Sequence, residues 1–325
     1  MAQGEQKGSE SFLTVLIAFA ANVAIAIAKS VAALFTGSAS MTAEAAHSWA
    51  DAGNEVLLLI ADKRSRRGRD ATHPYGYGRD VYVWSLFAAF GLFTVGAVVS
   101  IMRGISELGS DEPSTDNLVA YIVIGVSFVL EGVSFLRSIQ QLRGAAAKAD
   151  QEVLEHVLAT SDPTVRAVFF EDAAALVGLV LAALGIFLRQ VTGSAVWDAL
   201  GSIAIGVLLG VVAVILIQLN RRFLIGQSPS PRIVSAVLRL LAEHEEIASV
   251  SYLHLEYVGP ARVYVVAAVD LTGDAPEHEI AARLIAVGRA IEHDEHVVEA
   301  VLTLSAPGAT PLALPDEPMS TRLPR

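Results

Sequence analysis

The chain has 325 residues, no cysteine, a formal net charge of −11 and 53% hydrophobic residues against 18% charged; its mean hydropathy is +0.52. The missing cysteine excludes disulfides and thiolate metal sites, and the acidic balance argues against a nucleic-acid partner. The chain is too apolar for an ordinary soluble protein, and its composition implies one membrane domain followed by one small soluble domain.

In chain order, residues 1–11 are expected to form a short cytoplasmic tail. The runs Phe12–Phe35, Met41–Ala61, Val81–Gly104, Leu118–Leu136, Ala167–Leu188 and Ala195–Leu219 follow. Each is close to the roughly 20 residues that cross a hydrocarbon core. They predict six transmembrane helices in a domain over residues 12–226. The first run is longer than a signal-peptide core and more spans follow it, so no cleavage is expected.

Basic residues are retained on the cytoplasmic side of a membrane. The loop after the second run holds Lys63, Arg64, Arg66, Arg67, Arg69 and Arg79. The loop after the fourth holds Arg137, Arg143, Lys148 and Arg166, and Arg221 and Arg222 follow the sixth. The alternate loops carry only Arg103 and Arg189, at helix ends. Both termini are therefore expected in the cytoplasm, in an integral protein of the cell membrane.

From Pro231 the pattern changes to helix, strand, strand, helix, strand. The strands alternate and are β-branched, and the helices repeat near 3.6 residues. Residues 227–308 are read as a cytoplasmic α+β domain of αββαβ, ferredoxin-like order. Residues 309–325 are rich in Pro and polar residues, and disorder is expected there.

The second run, "SMTAEAAHSWADAGNEVLLLIADK", carries Glu44, His47, Asp51, Asn54 and Glu55. At 100° per residue these fall within about 100° of one another on a helix. Ionisable groups inside a membrane are costly and mark ion or proton pathways. His47 and Asp51, one turn apart, can grip one divalent ion, since imidazole nitrogen and carboxylate oxygen both suit zinc. Other runs add Glu131, the adjacent Glu171 and Asp172, and Asp198. Of Glu171 and Asp172, at most one can point straight at a central ion. Small residues from Ala173 to Ala183 let that helix approach its neighbours closely. Lys29 is expected either to snorkel or to pair with an acid of the stripe.

"GSASMTAEAAHSWADAGNE", the loop ending "HPYGYGR", six spans and an αββαβ tail together resemble the cation diffusion facilitator family. The match runs roughly from Phe12 to Pro307. "HPYGYGRDVYVWSL", Glu131 in "SFVLEG" and "EDAAALVGLVLAALG" resemble in particular the branch that includes mammalian zinc transporter nine. The resemblance implies export of a divalent metal, usually zinc, against protons as counter-ion, by a homodimer joined through the cytoplasmic domain and membrane helices.

Carried over by residue, His47 and Asp51 match the second-span half of the family's transport site. The fifth span departs from the pattern: it reads "FFEDAAAL", with Glu171 or Asp172 where a His-xxx-Asp pair is usual. Glu131 is a further candidate ligand. Glu44, Asn54, Glu55 and Asp198 are expected along the transport or proton pathway. The oxygen-rich set leaves manganese, cobalt and ferrous iron open beside zinc.

The family's loop site is reduced to His73, with Tyr77 in the second position; a structural turn on Pro74, Gly76 and Gly78 is the favoured reading. His254 does not fall at a ligand position, and Glu292–His296 reads as a solvated helix end. Two rivals stand beside metal export: a proton-linked transporter of another solute, and a membrane scaffold or regulator with a decayed metal site. An intramembrane enzyme is not expected, since no His-Glu-xx-His segment and no third span histidine exist.

Overall fold

The computed structural model describes residues 2–109 and 117–314, with side chains from residue 19 onward apart from Lys148. The expected tail residues 315–325 and Met1 lie outside the described residues.

The helices over the region expected in the membrane are α1 (Ala2–Thr36), α2 (Ala39–Ser65), α3 (Asp80–Ala88), α4 (Thr94–Glu107), α5 (Leu118–Lys148), α7 (Pro163–Thr192) and α8 (Val196–Leu224), with a short α6 (Val153–Ala159) between α5 and α7. A π-helical turn, Ala89–Phe93, joins α3 to α4, so one expected span is a rod over Asp80–Glu107. Among the described residues, five helices are long and apolar enough to cross a membrane. The helix α2, expected as a sixth span, is as long as its neighbours at 27 residues. Its polar stripe keeps it below that apolar standard. The helix α1 starts at Ala2, within the segment expected as a tail.

The chain divides into two compact units. The first comprises the chain up to Ile60, Trp84–Arg143 and Thr164–Leu219. Its core is small and apolar: Ala32, Met41, Ala43, Phe93, Leu179, Ile205 and Leu209 are buried. Its exposed side chains include Leu34, Phe90, Met102, Val129 and Val214, an outward apolar surface suited to lipid. Tight helix crossings depend on small residues: a Cβ on Gly104 would collide with Ile203 and the Ala199 carbonyl, and one on Gly206 with Ile101 and the Ala97 carbonyl.

The second unit comprises Ala61–Val83, Gly144–Pro163 and the chain from Asn220 onward. It contains α9 (Pro231–Ala242), β1 (Ile247–Gly259), β2 (Arg262–Leu271), α10 (Glu277–Ile291) and β3 (Val297–Leu304). This is the expected αββαβ order. Pro231 opens α9, where its missing N–H costs nothing. The sheet order is β1-β2-β3; β1 and β2 are antiparallel, with Leu253 opposite Ala267, and β2 and β3 are parallel. Val237 and Leu241 of α9, Leu255, Val265 and Val269 of the sheet, and Val287 and Ile291 of α10 are buried.

The basic loop after α2 is gripped by this sheet. Arg79 Nη2 lies 2.5 Å from Glu256 Oε1, and its Nε donates to the Tyr257 carbonyl at 3.0 Å. Arg69 donates to the Val298 carbonyl. A Cβ on Gly78 would collide with the Val258 carbonyl, so only glycine lets the loop lie this close to β1. Tyr82 stacks on Phe223 at 5.0 Å, Phe223 meets Tyr257 edge to face at 5.3 Å, and burial pushes the Tyr257 hydroxyl up to about 12. The chain beyond β3 returns to the sheet: Ser305 N donates to the Val269 carbonyl at 2.9 Å and Leu312 N to the Val250 carbonyl at 2.8 Å. Residues 309–314, expected to be disordered, thus include a backbone anchor.

Candidate functional site in the helical unit

All the intramembrane candidates lie in the first unit. The stripe on α2 holds fully buried Glu44 and His47, with Asn54 almost as buried. His47 Nε2 stands 3.0 Å from Asp51 Oδ2. Apart from that contact, both His47 ring nitrogens and Asp51 Oδ1 are buried without a hydrogen-bond partner. Buried polar atoms are normally satisfied, and each exception asks for a reason. Two carboxylate oxygens nearby share the condition, Glu44 Oε1 and Glu131 Oε2.

Lys29 on α1 sets an ammonium between Glu44 and Glu131. Its Nζ is 2.9 Å from Glu44 Oε2 and 2.9 Å from Glu131 Oε1, and its side chain has no exposure. Of the two expected fates for Lys29, pairing is the one observed. The triad ties α1, α2 and α5 together. From α7, Gly178 faces Glu44: a Cβ there would fall on Oε1.

The adjacent acids of α7 take different partners. Asn54 Nδ2 donates to Glu171 Oε1, joining α2 to α7. Ser134 of α5 donates to Asp172 Oδ2 at 3.2 Å. Among the described residues, no three His or carboxylate side chains converge closely enough to hold an ion as they stand.

Two stripe and pathway candidates stand apart. Glu55 Oε2 accepts from Asn22 Nδ2 of α1 at 3.1 Å. Asp198 caps α2 from outside: it accepts from Ser38 Oγ at 2.9 Å, Ala39 N at 2.7 Å and Ser40 N at 3.2 Å. These are free amides at a helix start, which an acceptor satisfies. Arg189 Nη1 lies 3.4 Å from Asp198 and 2.9 Å from Glu107, and Arg103 reaches Glu107 at 3.2 Å. This buried ion-pair cluster was not foreseen from the sequence. The signal was present in charges at the ends of otherwise apolar spans, where loop-charge counting set them aside.

The loop candidate sits in a turn organised by Asp70. Asp70 Oδ1 accepts from Thr72 N and His73 N, both at 2.8 Å, and Tyr77 OH donates to Oδ2 at 2.7 Å. These bonds, from Thr72 and Tyr77 first, hold the Asp70 carboxyl well below the usual carboxylate range. The same bond pushes the Tyr77 hydroxyl up. His73 stacks on Tyr77 at 3.8 Å, with Nδ1 2.8 Å from Thr72 Oγ1. In the sheet unit, His254 is exposed on β1. At the end of α10, His293 Nδ1 lies 2.7 Å from the Arg289 carbonyl and His296 Nδ1 2.8 Å from that of Ala261.

The "Cation efflux transmembrane domain" family matches residues 15–225. Metal tolerance protein C4 of Arabidopsis thaliana is 38% identical over 231 residues, 71% of this chain and 50% of its own length. The proton-coupled zinc antiporter SLC30A9, mitochondrial, is 34% identical in Mus musculus and 33% in Homo sapiens, in each case over 80% of this chain and 46% of the relative. The chain thus spans about half the length of these curated relatives. By the match of its helical region, the chain belongs to the cation efflux family of membrane transporters, the cation diffusion facilitators.

Proposed function

We propose that the protein exports a divalent metal ion from the cytoplasm in exchange for protons, with zinc the favoured cargo. The observation that carries this reading is the His47–Asp51 pair, whose ring nitrogens and Asp51 Oδ1 are buried without a hydrogen-bond partner. Lone pairs without donors, held away from water, are where a cation gains most. The names of the animal relatives, proton-coupled zinc antiporters, support zinc and protons for those proteins.

The chemistry follows from competition. A metal binds neutral imidazole and ionised carboxylate, so protons and metal contend for the same atoms. A site loaded from the cytoplasm gives up its ion when protons arrive from the other side. The pair His47–Asp51 supplies two ligands. A third, from Glu171 or Asp172 on α7, joins by a shift of helices, since Asn54 and Ser134 hold the α7 acids in this arrangement; Glu131, the further candidate, is engaged by Lys29. Such a shift is the step of alternating access in which six spanning helices, α2 among them, expose the site to one side and then the other. One imidazole among oxygens also suits manganese, cobalt or ferrous iron.

In this reading the protein works as a homodimer in the cell membrane, with both termini and the αββαβ unit in the cytoplasm. The basic loops support that orientation.

The test is metal-driven proton flux in proteoliposomes with zinc, manganese, cobalt and ferrous iron. Saturable flux with one of them, lost in Asp51→Ala, supports the reading. Folded protein that gives no flux with any metal overturns it in favour of another solute or of a scaffold.

A further inference from the structure

Lys29 lies within the helical unit but outside the set of cargo ligands. Its ammonium has two carboxylate oxygens at 2.9 Å, from helices α2 and α5. Those are the neighbours a small bound cation would have. The second oxygen of each carboxylate, Glu44 Oε1 and Glu131 Oε2, is buried and unpartnered. Glu44 Oε1 lies against Gly178, where no side chain intervenes. A carboxylate pair so enclosed needs a positive charge at its centre, because an uncompensated buried charge is strongly destabilising.

We propose that Glu44 and Glu131 form a second cation site whose occupant is tethered: the Lys29 ammonium. Lys29 is thus a specificity-determining residue. It keeps free cations out of Glu44 and Glu131 and confines the cargo to the neighbouring His47–Asp51 pair, one helical turn along α2. The tethered site itself stands on the triad geometry; only the word cargo rests on the transport reading above. A plain structural ion pair would also bind the helices, but it predicts no new ion response when the lysine is removed.

The experiment compares full-length wild type, Lys29→Met and Lys29→Arg, purified without divalent metal, by thermal melting in sodium chloride against choline chloride at equal ionic strength. Wild type and Lys29→Arg should melt alike in both salts. Lys29→Met should be stabilised by sodium and not by choline, a shift that Glu44→Gln in the same chain abolishes. In a second readout, Lys29→Met should bind zinc at one site more than wild type in choline chloride, and sodium at roughly ten times its own dissociation constant should weaken that extra binding about tenfold by simple mass action, leaving wild type unchanged. Lys29→Met that melts alike in both salts, or that folds in neither, overturns the proposal. If zinc fails to bind wild type while the sodium shift is present, the cargo reading falls and the tethered site stands.

Discussion

His47 Nε2 and Asp51 Oδ2 face each other across one turn of α2 at 3.0 Å, with both imidazole nitrogens lacking a hydrogen-bond partner. Most buried histidines hand one ring N–H to an acceptor that fixes the tautomer. Here the ring is buried and faces its acid neighbour instead. His47→Ala and Asp51→Ala are each expected to reduce metal-driven proton flux by more than about tenfold, the loss that follows even from removing outer-shell partners. Initial rates at several metal concentrations check this; wild-type rates in either variant count against the site.

The two acids of α7 should separate by function. Glu171 is tied to Asn54 on α2, the helix of His47 and Asp51, whereas Asp172 is tied to Ser134 on α5. Glu171→Gln is expected to lose about tenfold in apparent metal affinity and Asp172→Asn less than about threefold, since outer partners are worth 10–100-fold at the upper end. Metal-binding titrations rank the two, and the reverse order would place the third ligand on Asp172.

Gly178→Ala inserts a methyl where Glu44 Oε1 lies. Overpacking a close-fitting interior costs about 1–3 kcal/mol, and here the displaced group is one arm of the Lys29 triad. A lowered melting temperature with altered metal affinity is expected. An unchanged melt would mean that Glu44 has room to move.

Asp198→Ala should unsettle the fold rather than the cargo. The carboxylate caps three groups at the start of α2 and stands beside Arg189. Removing one partner of a buried pair costs on the order of 3 kcal/mol. Melting should fall steeply while metal affinity of the folded fraction persists. Lost affinity at unchanged stability would return Asp198 to the ion pathway.

The loop turn carries a pH signature. The hydrogen bonds from Thr72 and Tyr77 depress the Asp70 carboxyl in the folded protein. A depressed acid contributes stability above its unfolded value, near 3.9, and that contribution is lost as pH falls through the lower folded value. The turn should therefore stay assembled from neutral pH down to about 4, the unfolded range, and loosen only below it. Hydrogen exchange at the His73 amide, corrected for its intrinsic rate, checks this; protection lost at pH 6 would contradict it.

The helical spans and the αββαβ order were legible because their periodicities differ so sharply. The stripe on α2 was legible because its residues are close in sequence. What pairs with the stripe was not, since Lys29, Glu131 and Glu171 reach it from other helices and sequence spacing says nothing of which helices meet. Glu171 and Asp172 could not be told apart for the same reason: neighbours on one helix differ only by what faces them. Asp198 read as another membrane acid because capping from a distant helix leaves no local motif. The anchored segment around Leu312 was hidden because Pro-rich composition is blind to one backbone hydrogen bond.

Zinc K-edge absorption on metal-loaded protein, wild type against His47→Ala, tests the central claim most directly. The account predicts one imidazole nitrogen at roughly 2.0 Å among oxygen ligands, with that nitrogen lost and zinc occupancy reduced in the variant. An identical zinc environment in both proteins would show that the ion binds elsewhere, and His47 and Asp51 would not be its carriers.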